Sequence, residues 1–155
     1  MERRKFIGLV GLAAVALAPL QVQARDFRKD KVDAWKATTP ADAVKAMFGD
    51  AKPEEKGVKI KAPKLAENGG AIPVFIKSDI EAKSVALFQD ANPRSAVAAW
   101  NVPEGGIVDY GVKIKMKKSG KLTAIVEGKD GKLYSKVLAI EVSKGGCGGW
   151  LPHNS

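Results

Sequence analysis

Two different spacings of apolar residues divide the chain near residue 57. Before that point apolar side chains recur every three or four positions, as in a helix. Residues 29–36, with Val32 and Trp35 three positions apart, indicate a short helix, and a second helix is predicted over residues 40–48. The apolar stripe of this second helix is expected to pack on the domain or on a partner, and consists of Ala43, Met47 and Phe48.

The second predicted helix has start and end signals in the sequence. Thr39 suits the N-cap, Pro40 the first helical position and Asp42 the acidic third position. Gly49 follows the last apolar residue, and glycine is common directly after a helix C-terminus. These signals set the predicted bounds of the helix.

From residue 57 onward apolar and polar residues alternate, which is the period of a strand with one buried and one solvated face. Ser119-Gly120 and Asp130-Gly131 are hairpin signals, so the last three strands are expected to form an antiparallel meander. Seven short strands of this kind predict a mainly β fold, an immunoglobulin-like β-sandwich. They lie within residues 57–64, 71–77, 84–90, 95–102, 112–117, 122–126 and 133–142.

The N-terminus has the features of an export signal. Arg3, Arg4 and Lys5 precede an apolar run over residues 6–20, and residues 22–24 resemble a cleavage site. The run is short and rich in glycine and alanine, so no permanent membrane anchor is expected. The paired arginines favour a twin-arginine signal, and hence a periplasmic protein.

The chain of 155 residues is therefore predicted to hold one domain with flanking segments. Its 45% apolar and 28% charged residues suit a globular protein. The predicted organisation is a signal peptide over 1–24, a helical segment over 25–56, the β-sandwich over 57–142 and a glycine-rich arm with a short tail over 143–155.

Charge and the side-chain inventory narrow the classes of function. The net charge is +9, and removal of the signal, which holds three basic residues and one acidic residue, leaves +7. This charge suits small anions and acidic partners, whereas export makes a nucleic-acid partner unexpected. One cysteine excludes an intrachain disulfide, and one histidine excludes a histidine-rich or Cys/His metal site. An alternating lysine row indicates a solvated sheet face, with a docking surface as the alternative: Lys113, Lys115 and Lys117.

The single cysteine, Cys147, stands in a segment suited to the delivery of covalent cargo. Glycines on both sides offer no side chain for packing, so no strand is expected there. Fully extended, residues 143–147 span about 13–14 Å. His153 is expected to be a solvated tail residue, which leaves the thiol without a local base and makes unaided catalysis unexpected. The arm glycines are Gly145, Gly146, Gly148 and Gly149.

Two interpretations of Cys147 stay open on these residues. In the first, the thiol carries a cargo to the active sites of other proteins. In the second, the protein is an exported structural or interaction module whose tail cysteine forms an intermolecular disulfide. A covalent adduct on the thiol distinguishes the first from the second.

The chain also resembles the SoxY family, the sulfur-carrier subunits of bacterial thiosulfate oxidation. The resemblance rests on the Gly-Gly-Cys-Gly-Gly segment at 145–149, on the preceding strands over 112–116 and 122–126 with residues 130–134, and on the helix over 39–48. It implies an immunoglobulin-like fold, covalent sulfur intermediates on Cys147, no catalytic residue and no cofactor apart from the bound sulfur.

The resemblance further implies a set of partners. These are a SoxZ-like subunit in a heterodimer and transient contacts with the cytochrome complex SoxAX, the hydrolase SoxB and, in some organisms, SoxCD. The sequence departs from the family pattern after the last glycine, where Trp150–Ser155 continue the chain. Trp150 and Pro152 are bulky or stiff, and are candidates to obstruct the entry of the arm into an enzyme channel.

Overall fold

The computed structural model of the protein describes residues 24–143. Residues 1–23, which hold most of the expected signal, and residues 144–155, which hold Cys147, lie outside the described residues. In the described part the helices are α1 (Phe27–Asp30), α2 (Val32–Lys36) and α3 (Pro40–Phe48). The strands are β1 (Val58–Lys61), β2 (Leu65–Ala66), β3 (Ile72–Ser78), β4 (Ala82–Gln89), β5 (Ala96–Asn101), β6 (Val108–Ile114), β7 (Gly120–Gly128) and β8 (Leu133–Val142).

The strands form two sheets that pack face to face. One sheet has three strands in the order β1-β3-β6, and the other has five in the order β2-β8-β7-β4-β5. All neighbouring pairs are antiparallel except β2 and β8, which run parallel. The predicted immunoglobulin-like β-sandwich is confirmed.

The first core lies between the sheets. Ile72, Val74 and Ile76 point inward from β3, and Val85 and Leu87 point inward from β4, each with no more than 1% of its surface exposed. Alternate residues of a strand share one face, so the predicted alternation places these side chains correctly. Met116, Leu122, Ala124, Val126 and Ile140 complete the middle of this core.

Helix α3 has the predicted bounds. The Thr39 hydroxyl accepts a hydrogen bond from the Asp42 backbone N–H at 3.2 Å, which satisfies one of the free donors of the first turn. Gly49 has φ of 88°, a conformation that favours glycine, and so ends the helix. The predicted helix over 29–36 forms as α1 and α2, with a break at Lys31.

A second core lies on the outer face of the five-stranded sheet, beneath the helices. Ala86 and Phe88 of β4 are fully buried there, although they alternate with the inward residues of the same strand. Ala43 and Met47 of α3 pack in this cluster, so the helix covers its own domain. The expectation that each sheet has one solvated face is therefore wrong for this sheet, because the helical segment shields part of its outer face from water.

The predicted meander of the last three strands is also wrong. Strands β7 and β8 pair as expected, with Leu122 opposite Leu138, but β6 pairs with β3 in the other sheet. The chain crosses between the sheets after Ile114, and Met116 is fully buried on the way. The turn signal at Ser119-Gly120 therefore marks a crossover between sheets, which local sequence does not distinguish from a hairpin.

The lysines at 113, 115 and 117 are exposed, but strand β6 ends at Ile114, so the predicted strand over 112–117 is wrong beyond that residue and only Lys113 lies on a sheet face. Lys113 lies opposite Pro73 on the outer face of the three-stranded sheet, and Lys115 and Lys117 follow the end of β6. No helix among residues 24–143 is long and apolar enough to cross a membrane.

Substitution of Met47 tests whether the helical segment is part of the cooperative fold. Met47 is 1% exposed, and Met47→Ala is expected to lower the free energy of unfolding by about 2–4 kcal/mol, measured by urea titration, because it leaves a cavity above Ile125 and Phe88. Val32→Ala is the control, since Val32 is 43% exposed and its loss is expected to change stability by less than about 0.5 kcal/mol. Equal effects of the two substitutions would contradict the packing of α3 on the sheet.

Candidate functional site

The structure describes the chain up to Ser143, four residues before the thiol. All the site residues predicted from the sequence, Cys147 and its four flanking glycines, lie outside the described residues. The described residues instead define the base of the arm, which is the point where the chain leaves the sandwich. We define the base of the arm as residues 141–143, the last three residues of the described chain.

Hydrogen bonds on both sides hold the base of the arm. The Val142 N–H donates to the Ser119 hydroxyl at 2.8 Å, on the side of β7. On the other side the Ser143 N–H donates to the Ala66 carbonyl at 3.0 Å, and the Ser143 hydroxyl donates to the Glu67 carbonyl at 3.0 Å. The chain therefore leaves the sandwich from a fixed point.

Strand β2 contributes the Ala66 carbonyl to this second set of hydrogen bonds. It has two residues, Leu65 and Ala66, which pair in parallel with Glu141 and Val142. Ala66 is buried against the first core and fixes this short strand in place. The sequence pattern did not predict β2, because two residues carry no readable alternation.

The loops around the base are joined by side chains that carry no distinctive pattern in the sequence. The Asn92 amide donates to the Lys115 carbonyl at 2.8 Å and accepts from the Lys117 N–H at 2.8 Å. The Asp90 carboxylate accepts from the Lys121 N–H at 2.7 Å. A Cβ at Gly120 would clash with that carboxylate, so a larger residue would displace Asp90 from its hydrogen bond. Asn, Asp and Gly in these segments indicate loops in general. They do not reveal which groups bond each other, because the partners lie more than 20 residues away in the chain.

The reach of the thiol follows from covalent geometry. Cys147 stands four positions after Ser143, and a chain spans at most about 3.3–3.6 Å per residue. The Cα atom of Cys147 must therefore lie within about 13–14 Å of the Cα atom of Ser143. The fixed base turns this reach into a defined zone at one end of the sandwich.

The groups whose pKa values are displaced lie at the end of the sandwich opposite the arm. A hydrogen bond and the charge of Lys56 lower the pKa of Glu54, and a hydrogen bond to Glu104 raises the pKa of Lys129. A hydrogen bond from the Tyr134 hydroxyl lowers the pKa of Asp130. Each displacement has a local polar partner as its largest cause.

The open clefts of the described part lie mostly away from the arm. One is lined by residues 77–81 and 105–109, and a second lies between Arg25, Ser84 and Pro103. The only cysteine and the only histidine of the chain are at positions 147 and 153, so neither cleft has a thiol or an imidazole among residues 24–143. In this described part no group of three or more His, Cys, Asp or Glu side chains is arranged to hold a metal ion.

The sequence profile of the SoxY family, described as sulfur oxidation protein SoxY, matches residues 44–147. The matched range begins in α3, includes the whole β-sandwich and ends at the position of Cys147. The chain belongs to the SoxY family. It is therefore a carrier protein of sulfur oxidation that works with other proteins of such a system, and is not itself an enzyme.

A solved structure agrees with this assignment. The sulfur carrier protein SoxY from Chlorobium limicola f thiosulfatophilum is 33% identical, with a TM-score of 0.60, over 66% of this chain and 94% of that chain. A superoxide reductase (neelaredoxin) from Ignicoccus hospitalis is 20% identical, with a TM-score of 0.51, over 57% of this chain and 81% of that chain. This second likeness shows a shared fold alone. A comparison with curated protein sequences gave no match.

Substitution of Ser119 tests whether the base of the arm is fixed. Ser119→Ala removes the acceptor of the Val142 N–H and is expected to speed hydrogen exchange of that amide about fivefold, because a side-chain hydrogen bond contributes about 1 kcal/mol. Exchange is measured residue by residue by NMR. Ser78→Ala removes a similar bond, from its hydroxyl to the Gly57 carbonyl at the opposite end, and is expected to leave Val142 unchanged. An unchanged rate in Ser119→Ala would contradict the anchoring.

The pair of Asp130 and Tyr134 gives a pH dependence of stability. The pKa of Asp130 is lowered from 3.8 and that of Tyr134 is raised from 10.0 by their shared hydrogen bond. The stability that the pair adds is present above the ordinary pKa of the carboxyl and is lost as pH falls through the lowered value. It is lost again as pH rises from the ordinary tyrosine pKa through the raised one.

Tyr134→Phe should therefore lower the melting temperature most between about pH 4 and pH 10, and the difference from the unmodified protein should shrink on both sides of that window. Melting followed by circular dichroism from strongly acidic to strongly basic pH measures this difference. The control is Tyr110→Phe, because the Tyr110 hydroxyl has only a long contact of 3.5 Å, to a backbone carbonyl. A difference in melting temperature that does not depend on pH would contradict the role of the hydrogen bond between Asp130 and Tyr134.

Proposed function

We propose that this chain is exported to the periplasm and carries the sulfur intermediates of thiosulfate oxidation on the thiol of Cys147. The proposal rests on one observation above the others. The family match runs to position 147, and Cys147 is the only thiol in the chain. The carrier role is a property of the family, and Cys147 is the one side chain able to hold sulfur covalently.

The architecture supports delivery by the arm. The base is held by hydrogen bonds to Ser119, Ala66 and Glu67, while the residues around Cys147 are glycines without bulk. A rigid base defines where the thiol can be presented, and a thin arm allows it to enter a narrow channel. Tethering also raises the concentration of each intermediate at the next enzyme and prevents its loss.

Loading is an oxidation that needs an electron acceptor. The Cys147 thiol and thiosulfate join through a new S–S bond, which gives a thiol-bound S-thiosulfonate and releases one proton and two electrons. The electrons pass to a c-type cytochrome complex, the role that family resemblance gives to SoxAX. The carrier supplies the thiol and contributes no redox group.

Unloading is a hydrolysis. Water attacks the terminal sulfone, the bond between the sulfone sulfur and the neighbouring sulfur breaks, and sulfate and one proton are released. A persulfide remains on Cys147. By family resemblance SoxB performs this step, and SoxCD oxidises the remaining sulfur in organisms that have it.

The proposal includes a permanent partner and a route of export. The partner is a smaller SoxZ-like β-protein, and the paired arginines Arg3 and Arg4 suit export of a folded heterodimer by the twin-arginine route. A folded pair would explain how a partner without its own signal reaches the periplasm. Fractionation of cells with Arg3→Lys/Arg4→Lys is expected to leave both proteins in the cytoplasm.

Intact mass of the periplasmic protein tests the proposed cargo. In cells given thiosulfate, the protein is expected to gain mass that corresponds to sulfur or sulfur and oxygen, that reductant removes, and that maps to Cys147. Cys147→Ser is expected to lose this mass completely while it keeps its fold and its partner. His153→Ala is the control, because the proposal gives His153 no part in the chemistry.

Two results would overturn the carrier proposal. A reducible dimer of this chain, with no response to thiosulfate, would favour the interaction module with an intermolecular disulfide. Thiosulfate-dependent electron flow that persists in Cys147→Ser would show that the cargo is held elsewhere.

A further inference from the structure

Charge is distributed unevenly between the two ends of the sandwich. The end that carries the arm holds six basic residues and three acidic ones, whereas the opposite end holds five basic and nine acidic residues. The arm-bearing end comprises residues 64–67, 90–94, 115–121 and 141–143, and the opposite end comprises residues 50–57, 77–81, 104–109 and 127–132. The sandwich therefore has a positive end from which the arm begins.

Fewer lysines form ion pairs at the positive end than at the opposite end, where three of five do so. At the opposite end, Lys129 pairs with Glu104 at 2.6 Å and Lys77 pairs with Asp109 at 3.0 Å. Five exposed lysines at the positive end make no such pair with any acidic group of residues 24–143 within 4.0 Å. We call them the lysine collar: Lys64, Lys115, Lys117, Lys118 and Lys121.

Backbone contacts place the lysine collar around the base of the arm. The Lys64 carbonyl accepts from the Glu141 N–H at 2.9 Å. Lys118 directly precedes Ser119, whose hydroxyl accepts from the Val142 N–H. Asn92 and Asp90 hold the backbone at Lys117 and Lys121. The collar is thus built on the elements that fix the arm.

We propose that the lysine collar draws small doubly charged anions, of the class of thiosulfate, toward the thiol of Cys147. The inference rests on the proposed function in that it takes Cys147 to be the loading thiol. Unpaired positive charges on one end of a protein raise the local concentration of anions there. Covalent geometry limits the Cα atom of Cys147 to about 13–14 Å from that of Ser143, which sets the largest distance between the arm's cysteine and the base that the collar surrounds.

The range of the effect fits the reach of the arm. The Debye length is about 8 Å at physiological ionic strength and about 30 Å at 0.01 M salt. The collar therefore acts on the thiol through most of its reach in dilute salt and more weakly in concentrated salt. An anionic substrate gains from the collar, and a neutral one does not.

The test compares two reagents that react with the same thiol. The reduced protein is treated with 5,5′-dithiobis(2-nitrobenzoate), which carries two negative charges, and with the neutral 4,4′-dithiodipyridine, and each reaction is followed by the release of its chromophore. The ratio of the two rate constants is the readout. A change in the pKa of the thiol alters both rates together, so the ratio reports the attraction of the anion.

Two double variants with the same change in net charge separate position from total charge. Lys117→Gln/Lys118→Gln removes two charges of the collar and is expected to lower the ratio about three- to tenfold at 10 mM salt. Lys52→Gln/Lys132→Gln removes two exposed lysines of the opposite end and is expected to change it by less than about 1.5-fold. At 500 mM salt the difference between the variants is expected to disappear.

The outcomes are distinct from those of the cargo experiment. An equal fall of the ratio in the two double variants would overturn the collar proposal, because it would show an effect of net charge alone. An unchanged ratio in both variants would also overturn it. The reagents need neither thiosulfate nor any partner. A protein that fails to gain sulfur mass but shows the collar effect would refute the proposed function alone, and the reverse result would refute the collar alone.

Discussion

Strand β8 is held along its length by β7 and at its end by the two residues of β2, and the position of the arm depends on this double attachment. Backbone N–H groups at the end of β8 donate to the Ala66 carbonyl and to the Ser119 hydroxyl. A carrier whose arm began from a frayed strand would present its thiol over a wide and undefined volume. The pairing reduces that volume to a zone of about 13–14 Å around one end of the sandwich.

The two ends of the sandwich differ in their polar contacts. At the end away from the arm, ion pairs and the bond between Asp130 and Tyr134 join loops to strands. At the arm-bearing end, amide and carboxylate groups of Asn92 and Asp90 bind backbone N–H groups. The neighbouring lysines are thereby left without acidic partners among the described residues, and their charge is available to solvent and to anions.

A carrier of this kind needs little chemistry of its own. In the proposed function its thiol accepts sulfur, keeps it tethered and reaches active sites that other proteins supply. The described residues fit such a division of labour, because their displaced pKa values have local structural causes and lie at the end opposite the arm. The family assignment leads to the same description.

The sequence by itself determined the elements that depend on neighbours in the chain. The alternation of apolar residues located most of the sandwich strands, and Thr39 and Gly49 located the ends of α3. The arm around Cys147 stays a prediction from its glycines. Only the tertiary structure decided which strands pair, because a strand has the same period whichever sheet it joins. Thus β6 joined β3, the helices covered Phe88, and two residues with no pattern of their own became the strand that holds the base of the arm. The bonds of Ser119 and Asn92 also lay beyond prediction, because each side chain meets a partner 23 to 25 positions away that only the packed sheets bring near.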